Sequence, residues 1–293
     1  MPGLKEVRTR IASVKSTQQI TSAMKMVSAS KLKRAQNAIV KMRPYAGKLK
    51  EILENLSASL DSTDGIYSKE RKVQKVLVIV ITSNRGLCGA FNGNVLKSAA
   101  NMINTQYAEI NKNGNLDIIC IGKKGADFMV KRKYHVIDTN IQILDTLSFE
   151  KVAPIAENLM KSFVGGKYDR IEVVYNQFKN AAVQILSTEQ YLPIAKAKAI
   201  QGKVQQVSDY IFEPSKEEIV SQLIPKSLKI QFYKMLLDSV AAEHGARMTA
   251  MHKATDNADS LMKDLRLTYN KARQASITKE ILEIVGGAEA LKG

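Results

Sequence analysis

The sequence predicts an α/β protein: a long antiparallel coiled coil made by the amino- and carboxyl-terminal helices, flanking an alternating α/β middle. Three observations carry this reading. From Leu4 to Arg43 there is neither proline nor glycine, and from Lys226 to Val285 there is no proline and a single glycine, Gly245. An ordinary globular helix runs about 11–12 residues. One of about 55 residues would extend on the order of 80 Å, more than a compact domain of this size is wide. Such a helix needs a neighbour along its length, and the two ends are natural partners for each other. Third, Val76–Ile81 (VLVIVI) is an apolar run rich in β-branched residues, as in a strand buried on both faces. A paired helical rod beside a compact base implies a mechanical or bridging task.

Along the first helix, Leu4, Val7, Ile11 and Val14 recur at alternating three- and four-residue spacing, as a coiled-coil seam does. Met24, Val27, Leu32 and Ala35 continue the stripe less regularly. Pro44 interrupts it, and a mid-helix proline costs about 3 kcal/mol. A kink is expected there, then a weaker continuation to about Leu60 and a stop at Asp61-Ser62-Thr63-Asp64-Gly65. The middle then offers a turn at Ser83–Gly93, a helix near Asn94–Ile110, a strand at Leu116–Ile121 and a helix at Lys124–Lys131. A helix at Phe149–Phe163, closed by Gly165-Gly166, precedes strands at Arg170–Val174 and Val183–Ser187. This succession predicts a mainly parallel sheet with right-handed crossovers, a Rossmann-like arrangement. The domains divide as 1–60 for the first coiled-coil helix, 70–205 for the α/β domain and 209–293 for the second coiled-coil helix. The second helix is small-sided at Ala246, Thr249, Ala250, Ala254, Ala258, Ala272 and Ala275. That allows close approach of a neighbour, and it also fits simple helix propensity.

Composition narrows the function classes. The chain has 293 residues and a formal net charge of +16, unevenly placed. Residues 1–50 hold twelve Lys/Arg against one acid, Glu6. An acidic partner is implied: nucleic acid, anionic lipid or an acidic protein surface. The two cysteines, Cys88 and Cys120, make neither a disulfide framework nor a zinc site. The longest apolar run is far short of the ~20 residues that span a bilayer. Met1-Pro2-Gly3 is followed at once by charged residues, with no signal-peptide segment. The expectation is a cytoplasmic chain or an already processed organelle protein.

Catalytic signatures are missing. The turn Gly86-Leu87-Cys88-Gly89-Ala90-Phe91-Asn92-Gly93 lies where a phosphate-binding loop would, between strand and helix. Its glycines do not fall at G-x-G-x-x-G, and no G-x-x-x-x-G-K-[ST] occurs. It reads better as a tight structural turn that faces Arg85 outward. His135, His244 and His252 match no metal-ligand spacing, and Cys88 has no histidine partner nearby in sequence. No catalytic, cofactor-binding or metal-binding residue is assigned. Two other readings stand beside a mechanical one. A nucleic-acid binder with a basic helical arm is favoured by the charge, but the arm's one aromatic is Tyr45, near its end. An enzyme on the α/β middle is disfavoured by the failed glycine fingerprints.

Several separated stretches resemble the gamma subunit of the F-type ATP synthase. They are Ile11 through Thr21 with Ala23-Met24-Lys25-Met26-Val27, Ser30 through Gln36, Ser83 through Asn92, Arg247-Met248, Ala254 through Ala258, Tyr269 through Thr278, and Ile277 through Glu283 on to Gly287-Ala288. They cover the whole length in the order expected of that family. The resemblance implies a rotating central stalk. Its paired helices sit inside a ring of alternating alpha and beta subunits, and its α/β base, with epsilon, rests on the c-ring. Ion flow turns the stalk, whose asymmetric faces bias each beta subunit toward a different state. The catalytic sites belong to beta, so no cofactor is implied for this chain.

The resemblance also implies contact residues. Met24, Lys25, Lys31 and Lys33 would meet the acidic lever of beta, and Arg273, Gln274, Thr278 and Glu280 a beta loop higher up. Asp209 through Pro214 resembles the segment that meets the c-ring and epsilon, with Tyr210, Phe212 and Glu213 as contacts; Phe212 stands where some members have tyrosine. The apolar tail, with Ile281, Leu282 and Val285, would sit in the bearing at the top of the ring. No inserted thiol switch of the chloroplast kind is visible. The implied place is peripheral, without a transmembrane segment, at the cytoplasmic face of the bacterial inner membrane, or the mitochondrial matrix as the alternative. No nucleic-acid partner is implied.

Overall fold

A computed structural model describes residues 3–58, 66–194 and 216–290. The elements in order are α1 (Leu4–Ala58), β1 (Val76–Ile81), α2 (Phe91–Thr105), α3 (Ala108–Lys112), β2 (Leu116–Ile121), α4 (Lys123–Lys131), β3 (Val136–Asn140), a 3-10 turn (Gln142–Leu144), α5 (Phe149–Val164), β4 (Arg170–Phe178), β5 (Gln184–Leu192) and α6 (Lys216–Ala290). The chain divides into two compact units, Ala29–Arg247 and the pair Met1–Ser28 with Met248–Gly293.

In the Ala29–Arg247 unit the five strands form one sheet in the order β3-β2-β1-β4-β5. β1 pairs in parallel with β2 and β4, β2 in parallel with β3, and β5 runs antiparallel to β4. The central strand β1 is buried at all six positions, which is why its sequence is continuously apolar rather than alternating. Its pleat sends odd and even residues to opposite faces. Leu77, Ile79 and Ile81 join Phe163 of α5 and Phe232 and Leu236 of α6 in one core. Val76, Val78 and Val80 join Val95 and Ile103 of α2 and Met129 of α4 in the other. Helices therefore cover both faces. Tyr191 of β5 ties α6 to the sheet: its ring lies 5.5 Å from that of Phe232, and its hydroxyl donates to the Leu228 carbonyl at 3.0 Å.

Two details depart from the sequence reading, while the helical continuation past Pro44 agrees with it. The helix expected at Asn94–Ile110 is broken at Gln106-Tyr107 into α2 and α3. Tyr107 is buried, and its hydroxyl donates to the buried Glu172 carboxylate of β4 at 2.9 Å. Burial raises the Glu172 pKa and pushes Tyr107 up to about 12. β3 has no counterpart among the expected strands; its sequence, VIDTN, is an exposed edge strand with no apolar run to reveal it. Pro44 is exposed and lies inside α1, which is helical through it to Ala58; Leu60 lies outside the described residues.

Phe163 is fully buried in the α5/α6 core. Phe163→Ala should destabilise the α/β unit by about 3–5 kcal/mol, read as a lowered urea midpoint with the slope unchanged.

Candidate functional site

In an open doubly wound sheet, ligands bind outside the carboxyl ends of the strands where the strand order reverses. Here that point lies between β1 and β4, and the protein's own groups occupy it. Thr82 and Ser83, just after β1, are buried. The first backbone N–H groups of α4, the helix that follows the neighbouring strand β2, are bonded to the segment after β1. Lys123 N–H donates to Asn84 Oδ1 at 3.1 Å, Lys124 N–H to the Ser83 carbonyl at 3.1 Å, and Gly125 N–H to Thr82 Oγ1 at 2.8 Å. Gly122 has φ +108°, and a Cβ there would stand 2.2 Å from the Thr82 carbonyl oxygen. The turn is knitted internally as well: Ser83 N–H donates to Asn92 Oδ1 at 3.0 Å, and Asn92 Nδ2 donates to Cys88 Sγ at 3.2 Å. This is the structural turn expected from its glycine spacing, with Arg85 exposed.

The crevice itself holds a stretch of α6. Cys88 and Phe91 of the turn pack with Ala242 and Ala246, and Phe178 at the end of β4 closes on them. Arg247 is buried and spreads its fork over the turn, donating from Nη2 to the Arg85 carbonyl at 2.9 Å and from Nε to the Gly86 carbonyl at 3.3 Å. Its Nη1 donates to Glu243 Oε1 at 2.7 Å, an i, i+4 pair buried on both sides. On the other flank, a Cβ at Gly245 would stand 3.2 Å from both the Cα and the carbonyl oxygen of Ala181 in the β4–β5 hairpin. The lone glycine between Lys226 and Val285 is thus explained by close approach. Burial raises the Glu243 pKa against the pull of Arg247. Burial, Arg247 and Lys31 together push His244 down to about 4, so it is neutral and accepts from Arg247 Nη1 at 3.4 Å.

Elsewhere in this unit an open cavity of about 460 Å³ lies between α5 and the start of α6. Its acid, Glu157, is paired with Lys229, leaving no free acid–base pair. Among the described residues no three His, Cys, Asp or Glu side chains are grouped as metal ligands.

In the second unit α1 and α6 run antiparallel. Gln18 bonds Asp259, Thr21 Oγ1 meets Thr255 Oγ1 at 2.9 Å, and Lys25 Nζ meets His252 Nδ1 at 3.3 Å. Each step forward on α1 is matched by a step back on α6. The inward positions of α1 are Leu4, Val7, Ile11, Val14, Gln18, Thr21, Lys25 and Ser28, still at alternating three- and four-residue spacing. The seam is therefore regular, and it turns polar where the apolar stripe loses its spacing. Val27, read from sequence as part of the seam, is 57% exposed, while Ser28 is 2% exposed. The heptad is kept by small and hydrogen-bonding side chains, which an apolar count misses. Met24 is half-buried and Ile20 is exposed.

The residues singled out from sequence fall as follows. Lys25 is half-buried and engaged with His252; Lys31 and Lys33 are exposed. Arg273, Gln274, Thr278 and Glu280 are exposed; Thr278 Oγ1 bonds the Gln274 carbonyl at 2.9 Å, and Glu280 accepts from Ser276 at 3.3 Å. Ile281, Leu282 and Val285 are exposed, as are Ile277 and Ile284. Tyr210, Phe212 and Glu213 lie outside the described residues. Sequence reasoning did not assign Glu243, Gly245 or Arg247 to a site. The signal was present: a single glycine in the sixty residues from Lys226 to Val285, beside a Glu and an Arg four apart.

Paired terminal helices joined to an α/β unit whose ligand crevice is filled from within define a structural chain rather than a nucleotide-binding enzyme. A family model described as ATP synthase matches residues 3–291. The chain is 62% identical to the ATP synthase gamma chain of Flavobacterium psychrophilum, over all of both chains. It is 57% identical to that of Cytophaga hutchinsonii, over 99% of each. The chain belongs to the family of ATP synthase gamma chains. Its fold matches a chain of the Euglena gracilis mitochondrial ATP synthase OSCP/F1/c-ring assembly, with TM-score 0.69 at 24% identity over 98% of this chain and 94% of that one. It also matches a chain of the Tetrahymena thermophila mitochondrial ATP synthase central stalk and c-ring, with TM-score 0.56 at 25% identity over 80% of this chain and 99% of that one.

The neutral His244 has a pH signature. The unfolded chain protonates this side chain near pH 6.5, whereas the folded one resists to about pH 4. Stability is full above that window and falls as the pH drops through it. Comparing urea midpoints of the wild type and His244→Gln at pH 7 and pH 4.5 should show a steeper acid loss in the wild type, with the opposing contribution of Glu243 common to both.

Proposed function

We propose that this chain is the rotating central stalk of an F-type ATP synthase, a non-catalytic subunit that couples ion flow through a c-ring to conformational change at catalytic sites on beta. Its partners on this reading are the alpha and beta subunits, epsilon and the c-ring, and its place is the cytoplasmic face of a bacterial inner membrane. In support, the full-length relatives are bacterial gamma chains, and among the described residues no helix is long and apolar enough to cross a membrane. The observation that carries the reading is the free end of α6. Continued at the register of the three cross-helix bonds, Leu4 lies level with Arg273. Beyond it, among the described residues of its unit, no helix pairs with α6, and Ile277, Ile281, Leu282, Ile284 and Val285 are exposed there. Apolar side chains clustered on an unpartnered helix end mark a binding surface, and an apolar bearing fits them.

Met24, Lys25, Lys31 and Lys33 serve on this reading as the contact to the acidic part of beta, with Arg273, Gln274, Thr278 and Glu280 contacting a beta loop. Tyr210, Phe212 and Glu213 meet the c-ring and epsilon. The +11 carried by residues 1–50 suits acidic beta surfaces.

Co-expression with the alpha, beta and epsilon subunits of the same source tests the whole reading. One complex of three alpha, three beta and this chain, with ATPase activity that the isolated chain lacks, is the expected result; a free chain that shifts nucleic acid in a salt-dependent way would overturn it. Two residue-level outcomes follow. Ile281→Asp with Leu282→Asp should leave the stability of the isolated chain within about 0.5 kcal/mol, because both side chains are solvated there, yet lower the yield or the coupling of the complex. Arg273→Ala should reduce the activity of the assembled enzyme without changing the melting temperature of the isolated chain.

A further inference from the structure

We propose that the filled crevice is a torque joint: Arg247 and Gly245 fasten the Ala242–Arg247 stretch of α6 to the α/β unit so that this stretch cannot turn without it. The inference rests on the rotary reading and names the residues through which the motion passes. A helix transmits torque to a neighbouring body only through contacts off its own axis, and a grip on one side lets it roll. At 100° per residue, Gly245, Ala242, Ala246, Glu243 and Arg247 spread over about 200° of the helix circumference. The turn after β1 takes the part from Ala242 to Arg247, and the hairpin after β4 takes Gly245. His244, on the remaining side, is within the field of Lys31 of α1. The helix is held from two sides rather than leaned upon from one.

The chemistry of the grip suits load. Apolar contacts between Cys88, Phe91 and the two alanines resist separation but slide easily. The Arg247 fork bonds two consecutive carbonyls of a turn that is itself held by Asn92 and Ser83, which resists sliding. A buried ion pair is a poor source of net stability, and apolar residues of like volume often do as well or better. Its use here is directional: planar, charge-assisted bonds fix one angle of α6 against the sheet.

The test uses the assembled complex in sealed vesicles. Arg247→Met with Glu243→Gln removes the fork without stranding a buried charge. The expected result is intact assembly and ATP hydrolysis near the wild-type rate, with ATP-driven ion pumping down about fivefold or more, the lower end of couplings carried between distant sites. A second variant adds Ala242→Cys beside the native Cys88, with which Ala242 packs in the crevice, for a cross-link between α6 and the turn. Oxidation should restore pumping and reduction should abolish it again, a reversal that a residue serving only the fold would not show. Pumping unaffected by losing the fork would overturn the proposal, and so would hydrolysis and pumping falling together without rescue by the cross-link. Wild-type complexes that hydrolyse ATP but never pump would instead overturn the rotary reading.

Discussion

A helix of 75 residues has no stability of its own to spare, so every stretch of α6 must find something to lie against. The structure meets this constraint with different chemistry along the helix. Near Leu228, Phe232 and Leu236 the helix is an ordinary layer of an α/β unit, packed on a sheet face shared with α5. From Ala242 to Arg247 it lies in a crevice between two connections. In the Met248–Gly293 segment its neighbour is α1, through a seam of paired side chains. The averaged amphipathic pattern is accordingly weak, because the buried face is set by a different neighbour in each stretch. Beyond Arg273, among the described residues, no helix of its unit lies alongside it, and Ile277, Ile281, Leu282, Ile284 and Val285 are exposed there.

The crevice shows how a ligand-binding architecture is converted to a mechanical one. The sheet order and the turn after β1 have the layout that cradles phosphates in nucleotide-binding folds, and the start of α4 is tied to that turn. Thr82, Ser83 and Asn84 consume the helix N–H groups from inside, and Gly122 brings the backbone too close to Thr82 for anything to enter. A guanidinium then takes up the turn's carbonyls. Each polar group in the site is satisfied by the chain itself, so the fold is retained and the ligand is replaced by a helix.

The coil between α1 and α6 follows a similar logic. Three successive polar layers, Gln18 with Asp259, Thr21 with Thr255 and Lys25 with His252, give up apolar burial where Leu or Ile would pack more tightly. Polar layers specify register at a cost in stability. A pair of helices whose outward faces matter needs that register held, since a slip would present the wrong residues to any partner.

Much of this was legible in the residues. Proline-free termini, the β-branched run at Val76–Ile81 and the strand–helix alternation determined the class of fold, because backbone propensity and hydrophobic period act locally. The glycines of the turn after β1 match no phosphate-binding spacing, and in the structure that turn packs against α6. Three things were decided only by tertiary structure. The seam through Gln18, Thr21, Lys25 and Ser28 is invisible to an apolar count, because those side chains belong inside only once their partners on α6 are in place. β3 is a strand because β2 offers it an edge, not because VIDTN favours one. And Arg247, an exposed-looking cation in a basic sequence, is buried because two carbonyls of a turn about 160 residues away converge on it, a relation that no local pattern encodes.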